Sequence, residues 1–264
     1  MYSKRISLIF ILFSFIGYAF AQQQQYYLIA HRGGVVDSTY TENGLPALLA
    51  AVKRGYKMVE VDLRMTKDSI LIIQHDNNFK KYYGLNQPVA EINWEEISGL
   101  RSDKDGCKVL RFEEVLQHCA GKIQVMIDNK IEGSDTAIFS KVVKLLKQYR
   151  LDKDALMIGT DSSTDYFTGK IKLSCTRKQL EENMLKPGYS SSHYYLFGAD
   201  LTKEDVMWAL QKNILAVGVV NEWRYKRSKA TKEDIEKDIQ RLKDTGLKYF
   251  QIDSMYDKYF SRNK

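Results

Sequence analysis

Glu60 and Asp62 stand two positions apart in the apolar run Met58–Arg64, and that spacing is the first sign of chemistry in the chain. Side chains alternate along a strand, so Met58, Glu60, Asp62 and Arg64 share one face while Val59, Val61 and Leu63 share the other. If the apolar face packs on helices, both carboxylates point into an interior, where they repel and lose hydration. Such a pair needs a cation, and hard carboxylate oxygens suit Mg²⁺, Ca²⁺ or Mn²⁺ better than zinc. The alternative is a salt-bridged pair, held by Arg64, on a strand facing water. A second run, Lys122–Asp128, repeats the pattern with Gln124, Met126, Asp128 and Lys130 on one face. Asp128 at its end either completes a three-carboxylate metal site or is a turn former or helix cap. Beside such a site, Lys130 is placed to hold a phosphate oxygen.

Two of the four histidines stand at element ends: His31 in Ala30-His31-Arg32-Gly33-Gly34 and His75 in Gln74-His75-Asp76. Two imidazoles flanking a metal-bound phosphate suit general acid–base work, since a histidine titrates near neutral pH. One would assist attack while the other protonates the leaving alkoxide. A single histidine after a strand is ordinary structure, and His118 and His193 carry no further context.

These residues must be positioned by a regular scaffold. From Tyr26 onward, short β-branched runs alternate with segments of helical period. Strands are predicted at Tyr27–Ala30, Met58–Arg64, Lys122–Asp128, Ala155–Gly159, Lys172–Cys175, Tyr194–Gly198, Leu215–Val220 and Tyr249–Asp253. Helical patterns fill the intervals at Gly44–Arg54, Thr136–Tyr149, Arg177–Leu185, Lys203–Lys212 and Lys232–Asp244, with Asp135 and Thr231 as N-caps and Gly55 and Gly246 as stops. This α/β alternation fits a single-domain (β/α)8 TIM barrel; a doubly wound open sheet gives a similar string. Ser69–His75 is an additional strand-like run, and Asp76–Gly121 holds several short elements before the third strand.

The 264 residues, 44% hydrophobic and 28% charged, are enough for one such barrel. At the N-terminus, Lys4 and Arg5 precede an apolar stretch, Ile6 to Phe20, and the small residues of Ala19-Phe20-Ala21. That is the pattern of a signal peptide over residues 1–21, leaving residues 22–264 as the domain and an exported, periplasmic or secreted protein. An uncleaved anchor is the other reading of the stretch. The formal charge is +7; without Lys4 and Arg5 it suits anionic small molecules and permits loose contact with a membrane surface. No Lys/Arg cluster with interleaved aromatics marks a nucleic-acid groove. Cys107, Cys119 and Cys175 lack metal-ligand spacing, and a Cys107–Cys119 disulfide and free thiols are both compatible with export.

Taken in order, His31-Arg32-Gly33, Glu42-Asn43, Glu60-Val61-Asp62 with Thr66-Lys67-Asp68, and His75-Asp76 resemble the signature of the glycerophosphodiester phosphodiesterase family. The resemblance is strict over about Ile29 to Lys130 and rests on architecture beyond that. It implies His31 and His75 as the acid–base pair, Glu60 and Asp62 as ligands of one divalent cation (Mg²⁺ or Ca²⁺), Arg32 as a phosphate contact and Glu42 as a polar site residue. The family's Glu-x-Lys is here Asp128-Asn129-Lys130, an Asp-x-Lys that also resembles the related sphingomyelinase D enzymes. Ile252-Asp253-Ser254 resembles the family's terminal T-D-x-P without its Thr or Pro, and Val219-Val220-Asn221-Glu222-Trp223 stands where W-T-V-N is common, so Trp223 is expected to wall the pocket from a shifted position. The implied reaction is metal-dependent hydrolysis of a small deacylated phospholipid to glycerol 3-phosphate and an alcohol. A lysophospholipase D or sphingomyelinase D-like activity on acylated lipids is the rival enzyme. A non-catalytic phosphodiester-binding protein is the rival of another class, and it has no need of both histidines.

Overall fold

The computed structural model describes residues 26–260; the expected signal peptide at 1–21 lies outside them. The twelve strands are β1 (Tyr27–Ala30), β2 (Met58–Met65), β3 (Leu71–Ile73), β4 (Asn78–Phe79), β5 (Leu85–Pro88), β6 (Leu110–Arg111), β7 (Gln124–Asn129), β8 (Leu156–Ile158), β9 (Lys172–Cys175), β10 (Tyr194–Gly198), β11 (Leu215–Val220) and β12 (Tyr249–Ile252). Eight of them, β1, β2 and β7 to β12, are parallel neighbours in that order. β1 pairs with β2 on one side and with β12 on the other, which closes the sheet and excludes the open alternative. The result is a (β/α)8 TIM barrel.

The binary pattern explains the layers. Val59, Val61 and Leu63 are buried in the outer core between barrel and helices, together with Val125, Ile127, Phe139 and Phe167. Burying each such side chain contributes roughly 1.5–3 kcal/mol. The inward positions Ile29, Met58, Met126, Leu156, Tyr195 and Val217 form a separate apolar plug inside the barrel. Above it the same alternation brings Glu60, Asp62 and Asp128 to the C-terminal mouth. Helix ends follow the sequence signals: Asp135 accepts hydrogen bonds from the N–H groups of Ala137 and Ile138, Thr231 from that of Asp234, and Gly55 ends its helix at φ 77°.

The additional run after β2 is β3, antiparallel to the end of β2, with β6 antiparallel beyond it. Residues 76–109 pack on this extension around a small core of Ile72, Phe79, Val89, Ile92, Ile97 and Val109. All three cysteines are free thiols, so Cys107 and Cys119 form no disulfide. Burial pushes the Cys119 thiol up to about 12, and it behaves as a small apolar core residue.

Candidate active site

The site begins with a turn that needs glycine at two of its positions, Gly33 and Gly34. After β1 the chain passes through left-handed geometry at Arg32, Gly33 and Gly34, with φ of 54°, 82° and 140°. A Cβ on Gly33 would lie 2.4 Å from Asn43 Cα, and one on Gly34 only 2.2 Å from the Ala47 carbonyl oxygen. The absence of both lets the turn press against the loop carrying Glu42 and Asn43. The Arg32 N–H then donates to Glu60 Oε2 at 2.7 Å, and Asn43 Nδ2 donates to Asp62 Oδ2 at 2.8 Å.

In the β2–β7 ladder Asp62 is registered opposite Asp128. One oxygen from each of Glu60, Asp62 and Asp128 lies within 4.8 Å of the others. Glu60 and Asp62 are both 1% exposed. Burial, then the charges of Asp62 and Asp128, push the Glu60 carboxyl well above its ordinary range. Lys130 Nζ stands 2.6 Å from Asp128 Oδ2 and 3.3 Å from Asp62 Oδ1, so one ammonium faces three carboxylates. Its own burial works against the charged form, but Asp128 and Asp62 outweigh this and raise its pKa. A cluster of hard oxygens with surplus negative charge fits a hard divalent cation, and Glu60, Asp62 and Asp128 are the residues that would hold it. Arg64, the alternative partner of the pair, donates instead to the carbonyl oxygens of Gln74 and His75 and so anchors the His75 segment.

Each histidine has a carboxylate on its Nδ1. His31 Nδ1 is 2.6 Å from Asp253 Oδ1, and Asp253 Oδ2 accepts the Glu222 N–H at 2.5 Å. Burial pushes the Asp253 carboxyl up, but hydrogen bonding and charge at His31 outweigh it and leave it low. His75 Nδ1 is 2.8 Å from Asp76 Oδ1. With Nδ1 engaged, Nε2 is the nitrogen left for proton transfer, and His31 Nε2 lies 4.0 Å from Glu60 Oε2.

Glu42, 6% exposed, accepts from Arg32 Nη1 at 3.0 Å, Lys81 Nζ at 3.0 Å and Tyr82 Oη at 3.3 Å. It lies close to His75 and Asp76, so it ties the segments after β1 and β3 together. The Arg32 Nε–H is buried without a protein partner. A cleft of about 610 Å³ opens from His31, Arg32, Glu42 and Asp253 toward Trp223, which is 53% exposed on its rim. Residues after β3 give the cleft only side chains such as Lys81, Tyr82 and Lys104.

The glycerophosphoryl diester phosphodiesterase family model matches residues 31–251. The chain belongs to this family. Human lysophospholipase D GDPD1 is 28% identical over 137 residues, 46% of this chain and 41% of that protein. Human glycerophosphodiester phosphodiesterase 1 is 31% identical over 99 residues, 34% of this chain and 29% of that protein. The matched stretch thus spans less than half the length of either relative. Among solved structures, a Parabacteroides distasonis glycerophosphoryl diester phosphodiesterase aligns with a TM-score of 0.72 at 16% identity, covering 93% of this chain and 90% of that one. An Oleispira antarctica phosphodiesterase, solved with the product sn-glycerol-3-phosphate, aligns with a TM-score of 0.66 at 16% identity, covering 86% and 93%. Both likenesses establish the barrel fold.

Sequence reading left Asp253, Asp76 and Asn43 out of the working residues. The signals for Asp253 were the resemblance carried by Ile252-Asp253-Ser254 and its place just after the last barrel strand, the end where barrel enzymes carry their sites. Asn43 stood in the Glu42-Asn43 motif, but its hold on Asp62 depends on a turn-to-loop contact that periodicity does not encode.

Proposed function

We propose that this family member hydrolyses glycerophosphodiesters such as glycerophosphocholine or glycerophosphoethanolamine to glycerol 3-phosphate and an alcohol. The observation that carries the reading is the convergence, at one barrel mouth, of three carboxylates within 4.8 Å and two histidines each backed by a carboxylate. Bound to Glu60, Asp62 and Asp128, a divalent cation such as Mg²⁺ or Ca²⁺ would supply Lewis-acid stabilisation of the phosphoryl oxygens. Arg32 and Lys130 offer further positive charge to those oxygens. One of His31 and His75 accepts the proton of the attacking water while the other protonates the alcohol oxygen as its bond to phosphorus breaks. The enzyme acts after export, once residues 1–21 have been removed.

Release of an alcohol from a lysophospholipid at the same site is the second reading. Exposed Trp223 and Met255, both 53% accessible beside the cleft, favour it, as does the name of the human relative. The deciding experiment measures glycerol 3-phosphate released from glycerophosphocholine by residues 22–264 with Mg²⁺, Ca²⁺ or EDTA, beside H31A. Cation-dependent release abolished in H31A supports the first reading. Turnover of lysophosphatidylcholine alone moves the assignment to the second.

A further inference from the structure

The end of the barrel away from the mouth is rich in basic side chains. Acids stand in the first turns of some helices, such as Glu204 and Asp205 or Glu233 and Asp234, whereas the helices starting at Leu45, Thr136 and Arg177 have none there. The turns leading into the strands, at the end away from the mouth, hold Lys57, Lys122, Arg150, Lys153, Lys172 and Lys248. Helix dipoles explain each choice singly, acids at N-termini and bases at C-termini. Their sum is a molecule with a basic base and its chemistry at the far end. None of these six basic side chains pairs with a carboxylate in a salt bridge among the described residues; the acids there are Asp152, Asp154 and Asp244, with Glu113 accepting from the Tyr149 hydroxyl and Asp257 from that of Tyr56.

This basic end is also concave and aromatic. A cavity of about 780 Å³ is lined by Lys57, Lys122 and Arg150 together with Tyr26, Tyr27 and Tyr149. A second, of about 230 Å³, adds Lys153 and Lys172 and shares Lys57 and Gln124 with the first. The Gln124 Oε1 between them is buried without a hydrogen-bond partner. Lysines interleaved with tyrosines suit lipid head groups: the ammonium groups meet phosphates, and the phenol rings sit at the boundary between polar and apolar layers.

We propose that the N-terminal end of the barrel docks on an anionic phospholipid surface, so that the His31–His75 mouth faces away from the bilayer into water. The orientation deepens the function proposed above and rests on it: a mouth held away from the membrane receives dissolved, deacylated diesters rather than lipids still embedded in the bilayer. The docking itself requires no turnover, so its failure and that of the hydrolytic reading are separable.

The test is co-sedimentation of residues 22–264, which contain the whole closed barrel, with phosphatidylglycerol/phosphatidylcholine vesicles and with pure phosphatidylcholine vesicles at low and high salt. A fluorescent single-stranded DNA is titrated in parallel. Binding to the anionic vesicles alone, lost at high salt and lowered at least about tenfold in K122E/K153E/K172E, is the expected result. That variant should turn over dissolved glycerophosphocholine at the unaltered rate. In a chain whose Trp94 and Trp208 are replaced by Phe, brominated lipid should leave Trp223 at the mouth unquenched. Equal binding to both vesicle types, retention by the triple variant, or DNA binding without vesicle binding overturns the docking. Quenching of Trp223 overturns the orientation.

Discussion

Asp253 Oδ1 lies 2.6 Å from His31 Nδ1, joining the end of the last barrel strand to the end of the first. The contact depends on closure, since the Asp253 N–H bonds the Val220 carbonyl and the His31 N–H bonds the Ile252 carbonyl. In the proposed mechanism Asp253 is a positioning residue: it engages Nδ1 and leaves Nε2, 4.0 Å from Glu60 Oε2, for proton transfer. D253N keeps the shape while exchanging an acceptor oxygen for a donor, and it should lower kcat by about 10²–10⁴-fold, with KM changed only a few-fold. Steady-state kinetics on glycerophosphocholine check this. A kcat within twofold of the parent removes Asp253 from the machinery.

Lys130 sits on Asp62 Oδ1 and Asp128 Oδ2, while Asn43 holds Asp62 Oδ2. The oxygens held by Lys130 belong to the carboxylates that would ligate a cation, so the ammonium and the cation compete. K130M should bind Ca²⁺ more tightly by about tenfold in titration calorimetry, and at the same time show a raised KM for the diester. Unchanged or weaker Ca²⁺ binding defeats the idea of competition.

The barrel was legible because period-2 apolar runs and capping residues are local signals. Glu60, Asp62 and Asp128 were legible because alternation places all three on inward faces, and adjacency of consecutive barrel strands does the rest. The contacts of Lys130 with Asp62 and Asp128 were not, because they depend on how much negative charge collects at the mouth. Arg64 was equally opaque: its face was correct, but its partners are the Gln74 and His75 carbonyls of a turn whose path follows from the antiparallel β3. The basic end of the barrel was present in the sequence as Lys and Arg before strands, yet it becomes a surface only once eight parallel strands begin at the same end.

The raised carboxyl of Glu60 couples cation binding to pH. A group whose folded pKa lies above its ordinary 4.5 stabilises the protein below that value and loses the contribution as pH rises through the folded pKa. The cation-free protein should therefore lose stability as pH climbs above about 4.5. A cation needs the ionised form and offsets the loss, so the rise in Tm caused by Ca²⁺ should grow with pH. Thermal melts at several pH values, with and without Ca²⁺, check this against E60Q, in which the pH dependence of the Ca²⁺ effect should flatten. A Ca²⁺ effect that shrinks as pH rises contradicts it.

Asp105 works in the opposite direction and links the segment before β6 to the loop bearing Glu42. Its carboxylate accepts the Thr41 N–H at 2.9 Å, the Thr41 hydroxyl at 2.8 Å and the Cys107 N–H at 3.2 Å. Partial burial pushes the carboxyl up, but the Thr41 and Cys107 contacts outweigh it and bring it down to about 2 from 3.8. The sign is that of a depressed acid: the contribution is present above 3.8 and is lost as pH falls through about 2. Because the side chain is only partly shielded from solvent, the contribution is discounted to about 1 kcal/mol. D105N should forfeit it at neutral pH, lowering Tm by a few degrees, while narrowing the gap to the parent as both approach pH 2. Glycerophosphocholine turnover should fall with it if the Thr41 tie holds Glu42 and Asn43 in place. Denaturation curves that keep a constant gap from pH 7 to 2 would show that the Asp105 carboxylate contributes no charge-dependent stability, and that the loss comes from the altered hydrogen-bond geometry of the amide.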